Sequence, residues 1–115
     1  MKRGEVYWAN IVPRSGSEQQ GTRPVVVMSH DSFNETPTWR SVIVVPLTTS
    51  ESQARRGPTA VEIPAGAAGL KRRGVALCHQ VTTLDRSKLT KRVGALSLLL
   101  MQDVRDGLLA AMDLA

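Results

Sequence analysis

Apolar and polar positions change their spacing several times along the chain. From Glu5 to Val12 (EVYWANIV) they alternate, Val6, Trp8 and Val12 against Tyr7, Ala9 and Ile11, in a run of β-branched and aromatic residues that predicts a first strand. The period is lost from Pro13 to Thr22 (PRSGSEQQGT), a polar loop of a length that is functional or mobile in compact domains. Pro24 to Ser29 (PVVVMS) predicts a second strand opened by Pro24, whose missing N–H matters least at a first residue. HDSFNETPTW then reads as a turn or short helical segment, with Asp31 and Ser32 able to cap and Pro37 to terminate. Arg40 to Thr49 (RSVIVVPLTT) carries the strongest β signal. Its Val and Ile point to both faces and predict burial on both sides, and Pro46 predicts an edge, a bend or a bulge near its end.

After the polar connection SESQARRGP, TAVEIP reads as a short strand ended by Pro64. AGAAGLKRRG is a Gly/Ala loop that closes on three basic residues, and Gly74 to Val81 (GVALCHQV) is another strand. LDRSKLTKRVGAL holds a turn and a short final strand over Lys91 to Ala95. From Ser97 to Leu114 the period becomes helical: Leu100, Met101, Val104, Leu108, Ala111 and Met112 share a face, with Ser97 as N-cap. Gly107 sits inside that helix at a cost of about 1 kcal/mol relative to alanine. The sum is a mainly β fold with a C-terminal α-helix: about five to seven antiparallel strands in a strongly bent sheet or small barrel covered by the helix. At 115 residues it forms a single domain, 1–115.

Charge narrows the partner. Fifteen Lys and Arg against ten Asp and Glu give +5, which favours a polyanion such as nucleic acid, although the same charge also serves solubility. Apolar residues at 42% and charged residues at 22% exclude disordered and fibrous classes. Cys78 is the sole cysteine, so no intramolecular disulfide can form and a reducing cytoplasm is the expected location. No apolar segment follows the charged start MKRGEVYW, and no apolar run approaches the roughly 18 residues a membrane span needs. No partner membrane is expected.

Several chemistries lack their parts. The chain has no Walker-type glycine loop, no HExxH and no second cysteine for thiolate zinc, so neither a metal nor a cofactor is expected. His30 and His79 could form an acid–base pair for RNA cleavage, or each could be an ordinary strand-end histidine. Cys78 lies in an apolar strand and reads as a small buried hydrophobe. Asp31, Glu18, Glu35 and Glu51 are scattered over separate connections. What remains is Arg23, at the junction of a polar loop and an apolar strand, whose backbone is kept extended because a proline follows. A forked guanidinium placed this way can hold a phosphate. Lys71, Arg72 and Arg73, with Arg55 and Arg56, are either a solvated surface or a track for a nucleic-acid backbone.

Three segments in this order, GEVYWANIVPRSGSEQQGTRPVVVMS, VIVVPLTTS and GVALCHQVTTLDRSKL, resemble the MazF/PemK family of toxin endoribonucleases, and the resemblance extends over most of the chain. It implies an SH3-like barrel with a C-terminal helix, a homodimer, and a cognate antitoxin that blocks the site. It also implies metal-independent, sequence-specific cleavage of single-stranded RNA, often messenger RNA, leaving 2′,3′-cyclic phosphate and 5′-hydroxyl ends. Carried onto this sequence, the catalytic residues are Arg23, Thr48 and Glu18, and Gln80 lies near the groove. Ser17 and Gln19, flanking Glu18, and Lys71, Arg72 and Arg73 are the further RNA-binding candidates. The chain departs from the family at His79, where an acidic residue can precede the glutamine, and in the basic stretch ARRGPTAVEI. Both departures bear on sequence preference. Two other functions stay open: a protein-binding toxin on the same barrel, of the gyrase-poison type, and a regulator that binds RNA without cutting it.

Overall fold

The sheet is organised around β3 (Ser41–Thr48), which is central to it. The computed structural model describes residues 1–11 and 21–114. In chain order its elements are β1 (Glu5–Ile11), β2 (Gly21–Val27), a one-turn helix α1 (Asp31–Asn34), β3, a second one-turn helix α2 (Glu51–Ala54), β4 (Ala60–Ile63), β5 (Gly74–Leu77), β6 (Thr82–Asp85), β7 (Leu89–Ala95) and the long helix α3 (Leu98–Met112). Every recorded strand pair is antiparallel, in the order β4-β5-β3-β2-β1-β7, with β6 also on β3.

One edge of β3 pairs with β2, Val25 opposite Pro46. The other edge changes partner: β6 pairs with Ser41–Val44 and β5 with Leu47–Thr48. Pro46 falls in the gap between those two ladders, where a missing N–H costs no bond on that side. Of the expectations for Pro46, a strand edge is therefore corrected: β3 is an inner strand, and Pro46 sits where its partner changes from β6 to β5. The Val/Ile pattern of this segment is explained by two buried layers. Val6, Val26, Val45, Leu47 and Ala76 pack with Val104 of α3, while Ala9, Ile11, Val25, Val42 and Val44 form the second layer.

Helix α3 forms as its period predicts. The Ser97 hydroxyl accepts from the Leu100 N–H at 3.2 Å, and Leu100, Met101, Val104, Leu108 and Ala111 pack on the core, whereas Met112 is exposed. Gly107 is there for space: a Cβ would stand 2.7 Å from Cys78 Sγ and 2.9 Å from Val61 Cγ2. Its propensity cost is offset by the close approach of helix to sheet.

Other boundaries differ from expectation. Strand β2 begins at Gly21, so Pro24 lies inside it, opposite Trp8. The cap of α1 is His30, whose Nδ1 accepts from the Ser32 N–H at 3.0 Å. The strand expected over Gly74–Val81 stops at Leu77 and passes into a 3₁₀ turn, Cys78–Gln80, and an unexpected strand, β6, runs from Thr82 into the first two residues of the segment expected to turn. The 3₁₀ turn Arg86–Lys88 presents Arg86, whose guanidinium donates to the carbonyls of Asn34 at 2.7 Å, Phe33 at 3.1 Å, Thr36 at 3.2 Å and Trp39 at 2.9 Å. That single side chain fixes the connection between α1 and β3. Among the described residues, no helix is long and apolar enough to cross a membrane.

Candidate functional site

A cleft of about 580 Å³ opens where β1, β2 and β3 meet β7 and the β4–β5 connection. Arg23 and Thr48 both line it. The reason lies in the register. The β2–β3 pairs run from Val27↔Val44 to Val25↔Pro46 and end there; Arg23 and Thr48 each lie two residues beyond that last pair, in step with it. Residues two apart on a strand share a face, and so do antiparallel partners, so Arg23 and Thr48 follow Val25 and Pro46 on one side of the two strands. Thr48 is 6% exposed, and its Oγ1 accepts from the Ser50 N–H at 3.2 Å. An oxygen used as acceptor by the backbone keeps its O–H as a donor for a ligand.

The opposite wall is made by a close approach of two backbone segments. Gly69 has φ +75°, and a Cβ there would lie 2.2 Å from the Val93 carbonyl oxygen; a Cβ on Gly94 would lie 2.3 Å from that of Ala68. Only glycine at both positions permits this contact. It brings Lys71 and Arg72 from the β4–β5 connection beside Lys91 and Arg92 of β7, and all four line the cleft. Arg92 is tied to Glu5 at 2.5 Å. Partial burial pushes the Glu5 carboxyl up, but hydrogen bonds from Arg92, the Lys2 N–H and the Tyr7 O–H outweigh it and hold the group below its ordinary value. Among the described residues, Lys71, Arg72 and Lys91 form no ion pair. A concave surface carrying this charge focuses field toward an anion.

The remaining sequence candidates divide. Ser17, Glu18 and Gln19 lie outside the described residues. Arg73 is not among the described residues lining the cleft; its Nε donates to Glu62 at 3.0 Å across the β4–β5 pair. Gln80, too, is absent from the described lining; it sits on the 3₁₀ turn with Nε2 3.5 Å from His79 Nε2. Arg55 and Arg56 are exposed elsewhere, and partial burial together with the Arg56 charge lowers the pKa of His79. Neither histidine lines the cleft. Burial pushes the Cys78 thiol up to about 11, so at neutral pH it is protonated and fits its reading as a core side chain. Among the described residues, no three His, Cys, Asp or Glu side chains come together as a metal site. Sequence reasoning passed over Lys91, Arg92, Trp8 and Thr22, which also line the cleft. Their only sequence signal is position on paired strands, which becomes visible once β1 is set against both β2 and β7.

The comparisons with known proteins agree with this geometry. Residues 2–112 match the family described as PemK-like, MazF-like toxin of type II toxin–antitoxin system. Endoribonuclease EndoA of Bacillus subtilis is 37% identical over 108 residues, covering 94% of this chain and 90% of that protein. The crystal structure of MazF from Deinococcus radiodurans superposes with a TM-score of 0.80 at 26% identity, covering 98% of this chain and 96% of the other. A mycobacterial endoribonuclease in complex with its cognate antitoxin shares the fold, with a TM-score of 0.79 at 24% identity over 100% of this chain and 97% of its own. With the family match running almost end to end and the sheet, helix and cleft in place, the chain belongs to the MazF/PemK toxins of type II toxin–antitoxin systems.

Proposed function

We propose that this toxin is an endoribonuclease that cleaves single-stranded RNA at a short sequence by in-line attack of the ribose 2′-oxygen. The observation that carries the reading is the meeting of Arg23 and Thr48 in one basic cleft. In the reaction the 2′-oxygen bonds to phosphorus and the bond from phosphorus to the 5′-oxygen breaks, giving a 2′,3′-cyclic phosphate and a 5′-hydroxyl. The substrate supplies the nucleophile, so the protein must align it and stabilise charge as the pentavalent transition state forms. The Arg23 guanidinium holds two non-bridging oxygens, and the Thr48 hydroxyl donates to the same group. A guanidinium only donates hydrogen bonds, so its part is charge stabilisation and a hydrogen bond to the leaving 5′-oxygen, which takes its proton from water to become the 5′-hydroxyl. The 2′-OH proton passes to Glu18 or to an ordered water. Lys71, Arg72, Lys91 and Arg92 carry the flanking backbone.

The family pairs each toxin with an antitoxin, and a cognate antitoxin that covers this cleft is part of the proposal, as is a homodimer as the working unit. Exposed Phe33, Trp39 and Ile43 give apolar surface outside the cleft for a second copy to cover. The test is incubation of purified protein with single-stranded RNA in EDTA, followed by analysis of product ends. Cyclic phosphate and 5′-hydroxyl ends are expected. RNA bound but intact would point to a regulator instead, and no RNA binding at all to a protein-binding toxin.

A further inference from the structure

Trp8 sits in the cleft among the cations and is 39% exposed. Large aromatic side chains are among the most rewarding to bury, so an indole left open beside five cationic residues calls for a partner of its own. Its backbone is fixed on both sides: Trp8 pairs with Pro24 of β2 and with Lys91 of β7, and its carbonyl accepts from the Thr90 hydroxyl at 3.3 Å. Directly paired residues share a face, so the indole is flanked by the Pro24 ring and the Lys91 side chain. Arg23, the residue before Pro24, lines the same cleft, so a strand whose phosphate is held by Arg23 in the proposed reaction passes the indole.

We infer that Trp8 is the platform on which one unpaired base of the substrate, next to the scissile phosphate, stacks. The inference rests on the ribonuclease reading and names what the same site does to the bases. Single-stranded RNA is bound by combining cations along the backbone with aromatic faces under the bases. The cleft supplies both, and no other aromatic side chain lines it among the described residues. Phe33 and Trp39 are engaged with each other, ring centroids 4.8 Å apart, and the Tyr7 hydroxyl is bonded to Glu5 at 3.1 Å. Stacking tolerates any base face, so Trp8 adds affinity and fixes where the strand bends, while base identity is read by hydrogen-bonding groups around it.

The chain has two tryptophans, so Trp39→Phe leaves Trp8 as the sole indole reporter. In that background the probe is a short oligoribonucleotide spanning the mapped cleavage site, with a 2′-deoxy sugar at the scissile position to prevent cutting. Saturable quenching of indole emission is expected, and an abasic residue beside the scissile phosphate removes it. Trp8→Leu weakens binding of the same probe about tenfold or more, and Trp8→Phe holds it within about threefold. A bound probe, followed by anisotropy, that leaves indole emission unchanged would overturn the inference; so would Trp8→Leu with parental affinity. If the parent protein cleaves RNA while Trp8 proves silent, only the stacking role falls. If the parent neither binds nor cuts RNA, the ribonuclease reading falls and takes this role with it.

Discussion

Two regions of the molecule spend their arginines in opposite ways. At the α1–β3 connection, Arg86 directs its guanidinium into a ring of main-chain carbonyls and has little left to offer a ligand. In the cleft, Lys71, Arg72 and Lys91 form no ion pair among the described residues, and their charge is presented to the space that Arg23 and Thr48 also line. Net charge of +5 says nothing about this division. The cations that hold backbone in place and those that face an anion are separated by what the strand pairing puts opposite them.

The sharpest way to break the comparison is to remove one arginine from each region. Arg23→Ala is expected to keep the fold and lose about 10² to 10³ in cleavage rate, read as initial rates on a defined RNA with circular dichroism as the folding control. Arg86→Met should do the reverse. It leaves several carbonyls without their charged donor and lowers stability by about 2 kcal/mol in urea unfolding, with cleavage per folded molecule unchanged. Equal losses of activity in the two variants would erase the distinction.

Smaller effects sharpen it. Lys91→Ala should weaken RNA binding and reduce the slope of log affinity against log salt by about 0.7, the single-strand value per neutralised phosphate, while Arg73→Ala, whose partner is Glu62, leaves the slope alone. The least effect concerns Cys78. Its folded thiol titrates near 11 against an ordinary 9.0, so between those values the unfolded chain holds fewer protons than the native one and stability falls as pH rises. Thermal melts from pH 8 to 11 should show that fall, and Cys78→Ala should flatten it.

Much of the fold is legible in the residues themselves. The two-sided apolar run of β3, the serine cap and helical period of α3, and the arginine held extended before Pro24 each carry their cause locally. Thr82–Asp85 does not: alternating partly exposed positions and two threonines give β6 a weak signal, and its reason to be a strand is the vacant edge of β3. Nor does the second wall of the cleft. Lys91 and Arg92 reach it because β7 pairs with β1, and Lys71 and Arg72 because Gly69 and Gly94 let two backbones touch. Arg73 looks the same as its neighbours in sequence, yet the β4–β5 ladder turns it to Glu62.

The central claim is that Arg23 and Thr48 act together on one phosphate. A double-mutant cycle tests it most directly: Arg23→Ala, Thr48→Val and the double variant, each checked for folding, with the rate of the cutting step measured in single turnover. Residues that grip the same transition state lose their effects together, so the double variant should be little slower than the worse single one. Losses that simply multiply would contradict joint action, and rates at the parental level would remove both residues from the chemistry.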